Sequence, residues 1–217
     1  MNERDILLQT AEHVRGLLSG EGTGHDWFHT LRVCKSALAM GREEGADLFL
    51  IELAALLHDV ADWKFAGGDH DAGPRAARDW LQSLEVPPAT IDHVCEIIAG
   101  LSFKGAGVAT PMRSLEGHCV QDADRLDALG AIGIARTFAY GGHKGQPLYD
   151  PDAKPELHAS FDAYKRGGGS SLNHFYEKLL LLKDRMNTAA GKRLAAERHA
   201  IMERFLEQFL AEWEGER

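Results

Sequence analysis

The stretch AALLHDVAD, residues 54–62, ends an apolar run with a histidine, an acid and a second acid three residues further on. Upstream, Leu48, Ile51, Leu53, Leu56 and Leu57 leave hardly any polar face, so the segment around Ala54 to Asp59 reads as a helix buried in a core. An ionised carboxylate in such surroundings is costly unless it is paired, neutralised or bound to a metal. Compensation for His58 and Asp59 must therefore come from another part of the chain.

Nearly every other segment with a clear period is helical as well. Residues 6–18, ILLQTAEHVRGLL, form a first amphipathic helix; residues 25–45 read as a second, with Gly45 as its C-terminal stop. Residues 76–86 and 89–101 give two more helices, separated by Pro87 and Pro88. Residues 113–142 hold one or two further helices, with a break expected near Gly117. The stretch 141–155, GGHKGQPLYDPDAKP, carries too much Gly and Pro for regular structure and is read as a long loop, of the kind that often serves as a lid or binding loop. Its His143 and Lys144 are expected to reach a substrate, a surface excursion or dimer contact being the alternative. The segment 171–213 reads as two amphipathic helices broken near NTAAG, and Gly167 to Gly169 as a hinge within a loop. No alternating β-branched run, internal repeat or low-complexity tract occurs. The class is all-α, and the chain of 217 residues reads as one domain, 1–217.

Composition narrows the function classes. The chain is 44% hydrophobic and 26% charged, as ordinary globular proteins are. A formal charge of -9 and a pI near 5.6 argue against a surface for nucleic-acid polymers, yet leave room for a small anion in a local positive pocket. Cys34, Cys95 and Cys119 are odd in number and lack a CxxC pair, which suits a reducing cytosol. The start of the chain shows no signal-peptide core, and no apolar run reaches the roughly 18–20 residues of a membrane span. A cytoplasmic protein without a membrane partner is expected.

Three places along the chain could carry chemistry. His58 and Asp59 form one. GHDWFHTLRV, residues 24–33, puts His25 and His29 one turn apart on a helix, with Arg32 a further turn along. CVQDADRLDALGAIG, residues 119–133, brings Asp122, Asp124 and Asp127 to the mouth of a helix rich in Ala and Gly. Two imidazoles and two carboxylates would make a mixed nitrogen and oxygen site, suited to Mn, Fe, Co, Ni or Zn rather than Ca. Taken singly, each residue reads as well as a helix cap, a surface acid or a packed core histidine. Taken together they could hold a metal ion, and the metal would supply the counter-charge that Asp59 lacks.

At these residues the chain resembles a known family. The pattern His29, His58-Asp59, Asp124 is similar to the H…HD…D signature of the HD-domain metal-dependent phosphohydrolases. The flanks GHDWFHTLRV, LLHDVAD, QDADRLDALGAIGIAR and NHFYEKLLLLKDRMNT, residues 173–188, resemble the compact bacterial subgroup over almost the whole chain. The resemblance implies a single-domain helical bundle with one divalent metal, Mn, Co, Ni, Fe or Zn with Mg as a further option, held by His29, His58, Asp59 and Asp124. His25 falls outside that ligand set, and Asp26 reads as an acid favoured by the helix dipole. Dinuclear members carry two more histidines before the last Asp; here Ser102 and Phe103 stand in that region, which favours one metal.

Asp62 lies about one helical turn beyond Asp59, so both acids can face one pocket. Asp59 is then a ligand and Asp62 the group that orients or deprotonates water, a role that a carboxylate at the similar position plays in mononuclear relatives. Phosphoryl chemistry also needs cations. Arg32 and Lys64 are the first candidates, each one to two turns from a ligand; Lys104, Arg125, Lys144, Lys178 and Lys183 are others. The function expected is hydrolysis of a small phosphorylated molecule, a nucleotide, with release of phosphate or pyrophosphate left open. A nucleotide-sensing module that retains the metal without turnover and a cyclic or linear nucleotide phosphodiesterase are the alternatives.

Overall fold

The structure, a computed structural model, describes residues 1–19, 26–61, 69, 71–101, 108–157 and 169–216. Among these every regular element is a helix, so the all-α class expected from the sequence holds. The order is α1 (Glu3–Leu17), α2 (Trp27–Glu44), α3 (Leu48–Leu57), α4 (Ala72–Ser83), α5 (Pro88–Gly100), α6 (Leu115–Asp127) and α7 (Gly130–His143). A short helix, α8 (Asn173–Glu177), a 3₁₀ turn (Leu179–Arg185) and the long α9 (Ala189–Trp213) complete it. The chain divides into two compact units, residues 1–103 with 110–124 and residues 104–109 with 125–217; α6 is continuous across the division.

The first unit is built around α3. Apart from Glu52 this helix is apolar throughout, and α1, α2 and α5 pack against it, as so hydrophobic a helix requires. Ile51, Leu53, Ala54 and Leu57 are fully buried beside Val14, Val33, Met40, Val94 and Ile97. Gly41 lets α2 approach α3 closely, because a Cβ there would fall on the Ile51 side chain. Both helices start at aspartate caps. Asp26 accepts the His29 N–H at 2.8 Å, and Asp47 accepts those of Phe49 and Leu50 at 2.9 and 3.2 Å. Gly45, in the left-handed region at φ 74°, ends α2 where the sequence places its stop.

The second unit packs α7, α8 and α9 through aromatic rings. Phe138, Phe175 and Phe205 stand 5.7–6.0 Å apart between ring centroids, and Phe209 and Trp213 extend the cluster along α9. Three arginines close the end of α6 and its neighbours. Arg136 donates to the Asp127 carboxylate at 2.7 Å, Arg198 to the Leu126 carbonyl, and Arg125 to the Arg185 carbonyl. The first two place cationic donors on the last turn of α6, where carbonyls lack helical partners and the dipole favours positive charge.

Several boundaries differ from the sequence reading: α1 starts at Glu3 where residue 6 is expected, and α4 covers Ala72–Ser83 where 76–86 is expected. Gly117 does not break a helix: it lies in the first turn of α6, where its bare Cα makes room for Met112. The break comes at Gly130, whose φ of 70° only glycine adopts at low cost. Consequently Asp122, Asp124 and Asp127 occupy the second half of α6 and not the mouth of the next helix. The long loop begins after 143, because α7 runs on to His143 and Gly141 is pressed against the Ser171 hydroxyl. Within 171–213 the first segment is a five-residue helix and a 3₁₀ turn of four leucines and three charged residues, and only α9 is a long helix. Finally, α3 stops at Leu57, one residue before His58.

Gly133 offers a test of this packing. A Cβ at that position would collide with the Ala128 carbonyl, which is backbone and cannot step aside. The gain in helix propensity from Gly133→Ala, at most about 1 kcal/mol, is smaller than the cost of such overpacking. Gly133→Ala should lose about 1–3 kcal/mol of stability in urea unfolding; an unchanged midpoint would refute the close approach.

Candidate metal centre

His58 and Asp59 leave α3 at its C-terminal end. His58 is the C-cap residue, in helical conformation at φ -63° and ψ -30°, and Asp59 follows in the turn. A carboxylate there faces the negative end of the helix dipole, the least favourable place for it, so the need for a counter-charge is greater than the sequence alone suggests. His29 faces this carboxylate from α2, as the third helical residue after the Asp26 cap.

The three side chains converge on one point. His29 Nε2 lies 3.2 Å from His58 Nε2, and Asp59 Oδ2 lies 3.3 Å from each. His29 is fully buried, and the His58 and Asp59 side chains are 3% and 13% exposed. The His58 Nδ1 donates to the Ala55 carbonyl at 2.8 Å, because a carbonyl can only accept. That bond fixes the tautomer and leaves the Nε2 lone pair directed at the other two donors. In α6, Asp124 Oδ1 lies 3.5 Å from His29 Nε2, with its side chain 31% exposed. It stands beside the triangle on the His29 side.

This donor set fits a metal ion. A triangle with edges of 3.2–3.3 Å has the spacing of neighbouring ligands around an ion with bonds of about 2.0–2.1 Å. Two imidazole nitrogens and carboxylate oxygens suit first-row transition ions. His58, His29 and Asp59 together form a group that could hold one. Without an ion the same geometry recruits a proton. Burial opposes charge on His58, but the Asp59 carboxylate, with Asp124 and the Ala55 carbonyl, outweighs it and lifts the His58 pKa to about 9.

The other sequence candidates divide into those placed elsewhere and those outside the described residues. Arg32 lies in α2, half-buried, one turn after His29. Arg125 is buried and bonded to the Arg185 carbonyl. Asp127 pairs with Arg136, and Lys144 sits over the Tyr140 ring at 5.6 Å. His118 bonds to the Met112 carbonyl. His25, Asp62, Lys64, His70, Ser102, Phe103 and Lys104 lie outside the described residues. Sequence reading missed the cap Asp47, which starts the helix leading to His58 and Asp59; an Asp directly before the run LFLIELAALL was the available signal.

An all-helical domain with a His, His-Asp cluster at its centre is the HD type, and residues 27–129 match the HD domain. The chain belongs to the HD-domain superfamily. Bacillus subtilis YpgQ is 40% identical over 209 residues, which span 96% of this chain and 94% of YpgQ. The crystal structure of YpgQ in complex with ADP matches with a TM-score of 0.76 at 36% identity, covering 96% of this chain and 95% of that one. An HD-superfamily hydrolase from Bacillus thuringiensis is 47% identical with a TM-score of 0.77, over 98% of this chain and 99% of its own. A Lactobacillus plantarum protein is 38% identical with a TM-score of 0.87, over 99% and 100%. Among the described residues no helix is long and apolar enough to cross a membrane.

Metal loading should register as stability. Mn, Co, Ni or Zn at about 100 times its dissociation constant stabilises a folded-state site by about 2.7 kcal/mol. Thermal unfolding should therefore shift upward with these ions and return with EDTA. The shift should vanish in His58→Ala and in Asp59→Ala. A wild-type transition indifferent to both ion and chelator would exclude the site.

Proposed function

We propose that the chain is a metal-dependent phosphohydrolase acting on a nucleotide, with one divalent ion held by His29, His58, Asp59 and Asp124. The observation that carries this reading is the His29, His58, Asp59 triangle, with the His58 tautomer held in the ligating form by Ala55. The crystallisation of the similar YpgQ with ADP supports a nucleotide as ligand. A divalent ion in such a site supplies Lewis acidity toward a phosphoryl oxygen and makes water more acidic at neutral pH.

The chain's own residues carry the remaining tasks. Asp62, three residues after Asp59, accepts the proton of the attacking water or orients it. Arg32, one turn along α2 from His29, and Lys64, two residues beyond Asp62, neutralise the phosphate oxygens on which charge develops. The bond cleaved is a phosphomonoester or a phosphoanhydride. A screen of nucleoside mono-, di- and triphosphates with Mn, Mg, Co and Ni, scoring phosphate and pyrophosphate separately, tests the reading. No turnover of any of them by metal-loaded protein would sink it.

Asp62→Asn should retain the metal and the fold and lower turnover by roughly 10²- to 10⁴-fold, as loss of a general base does. Full activity removes Asp62 from the mechanism, and loss of the ion makes it a ligand. Arg32→Met and Lys64→Met should raise KM more for triphosphates than for monophosphates. An equal effect on all substrates assigns these cations to other work.

A further inference from the structure

Glu116 stands in the first turn of α6, where an acid ordinarily serves its own helix dipole. Here its carboxylate also reaches two other helices. Oε1 accepts the backbone N–H of Asp47, the N-cap residue of α3, at 3.1 Å. Oε2 lies 3.7 Å from Nε2 of His93 in α5, a buried nitrogen without a hydrogen-bond partner among the described residues. The Glu116 side chain is 15% exposed, so it is held in this position and does not sweep through solvent.

The consequence follows from where the helices lead. From its N-cap Asp47 to its C-cap His58, α3 covers about 16 Å at 1.5 Å per residue; α6 runs about 12 Å from Glu116 to Asp124. Both then arrive beside His29, at 3.2 Å from His58 Nε2 and 3.5 Å from Asp124 Oδ1. Two helices thus leave one carboxylate and lead to polar side chains at one imidazole. Helices are stiff along their axes, so a slip of α6 at Glu116 reappears at Asp124.

We infer that Glu116 is a positioning residue for the metal centre, setting the axial register of α6, and hence of Asp124, against the His58-Asp59 end of α3. The inference rests on the reading that these residues hold a metal. It goes beyond general stability, because the Asp47 N–H lies at an exposed helix start where water can replace the lost acceptor.

Cobalt(II) titration followed by the visible absorption of the bound ion, with thermal unfolding of the metal-free protein, tests this. Glu116→Ala should weaken cobalt binding by about 10-fold or more and alter the spectrum, as loss of an outer support does. The metal-free Tm should move by less than about 4 °C, the shift expected for one exposed hydrogen bond. Glu116→Gln keeps an oxygen acceptor for the Asp47 N–H and should restore both affinity and spectrum. Should Glu116→Ala not fold, Glu116→Asp replaces it: one methylene shorter, it withdraws the acceptor and should show the same loss. Unchanged cobalt affinity and spectrum in the shortened variants, or a Gln variant as weak as they are, would overturn the inference. Failure of the wild-type protein to bind cobalt would instead overturn the metal reading itself.

Discussion

At the end of α3 a carboxylate follows directly after an apolar helix, at the end of the helix dipole that repels it, and two imidazole nitrogens close on one of its oxygens at 3.3 Å. Much of the first unit serves this contact. Asp26 caps α2 so that His29 falls within its first turn, and Asp47 caps α3 at the far end. The Ala55 carbonyl takes the Nδ1 proton of His58 and turns its other nitrogen inward. The groups left facing one another carry lone pairs, an arrangement that only a cation relieves. A proton does so in part, as the raised pKa of His58 shows; a divalent ion does so for all three donors at once.

Such a site needs supports that do not compete with it. The packing nearby supplies them through small residues and backbone groups. Gly41 brings α2 onto α3, and Gln121, fully buried one turn before Asp124, donates to the carbonyls of Gly100 and Thr110 at 2.9 and 3.2 Å. At the C-terminal end of α6, Arg136 and Arg198 hold carbonyls and the Asp127 carboxylate. The neighbouring acids on α6 therefore differ in task by a few residues along one helix. Asp127 is consumed in an ion pair, whereas Asp124 stands next to His29. Identity of side chain does not separate them; direction around the helix and the partners on each side do.

The helical class was legible from periodicity, because nearly every segment shows the 3.6-residue spacing and none alternates. The stop at Gly45 was legible for the same local reason, a glycine directly after a periodic run. Gly117 and Gly141 misled that logic. Both are glycines inside helices, where an added Cβ would run into Met112 and Ser171, contacts that a local window does not reveal. The end of α3 at Leu57 was likewise hidden, since an apolar run marks burial more sharply than it marks a boundary.

The sequence by itself determined the demand: an acid and a histidine at the end of an apolar run, with His29 and Asp124 in motifs similar to a known family, and so an expected centre. Tertiary structure decided how that demand is met. It chose Nε2 on His58 through the Ala55 carbonyl, brought His29 within 3.2 Å from a different helix, and set Asp124 at the side of the triangle. It also joined Glu116 to Asp47, a pair 69 residues apart with no sequence signal between them. The reason is physical. Charge and apolarity are properties of residues and can be read along a chain, whereas the direction of a lone pair and the register of two helices exist only once the chain has packed.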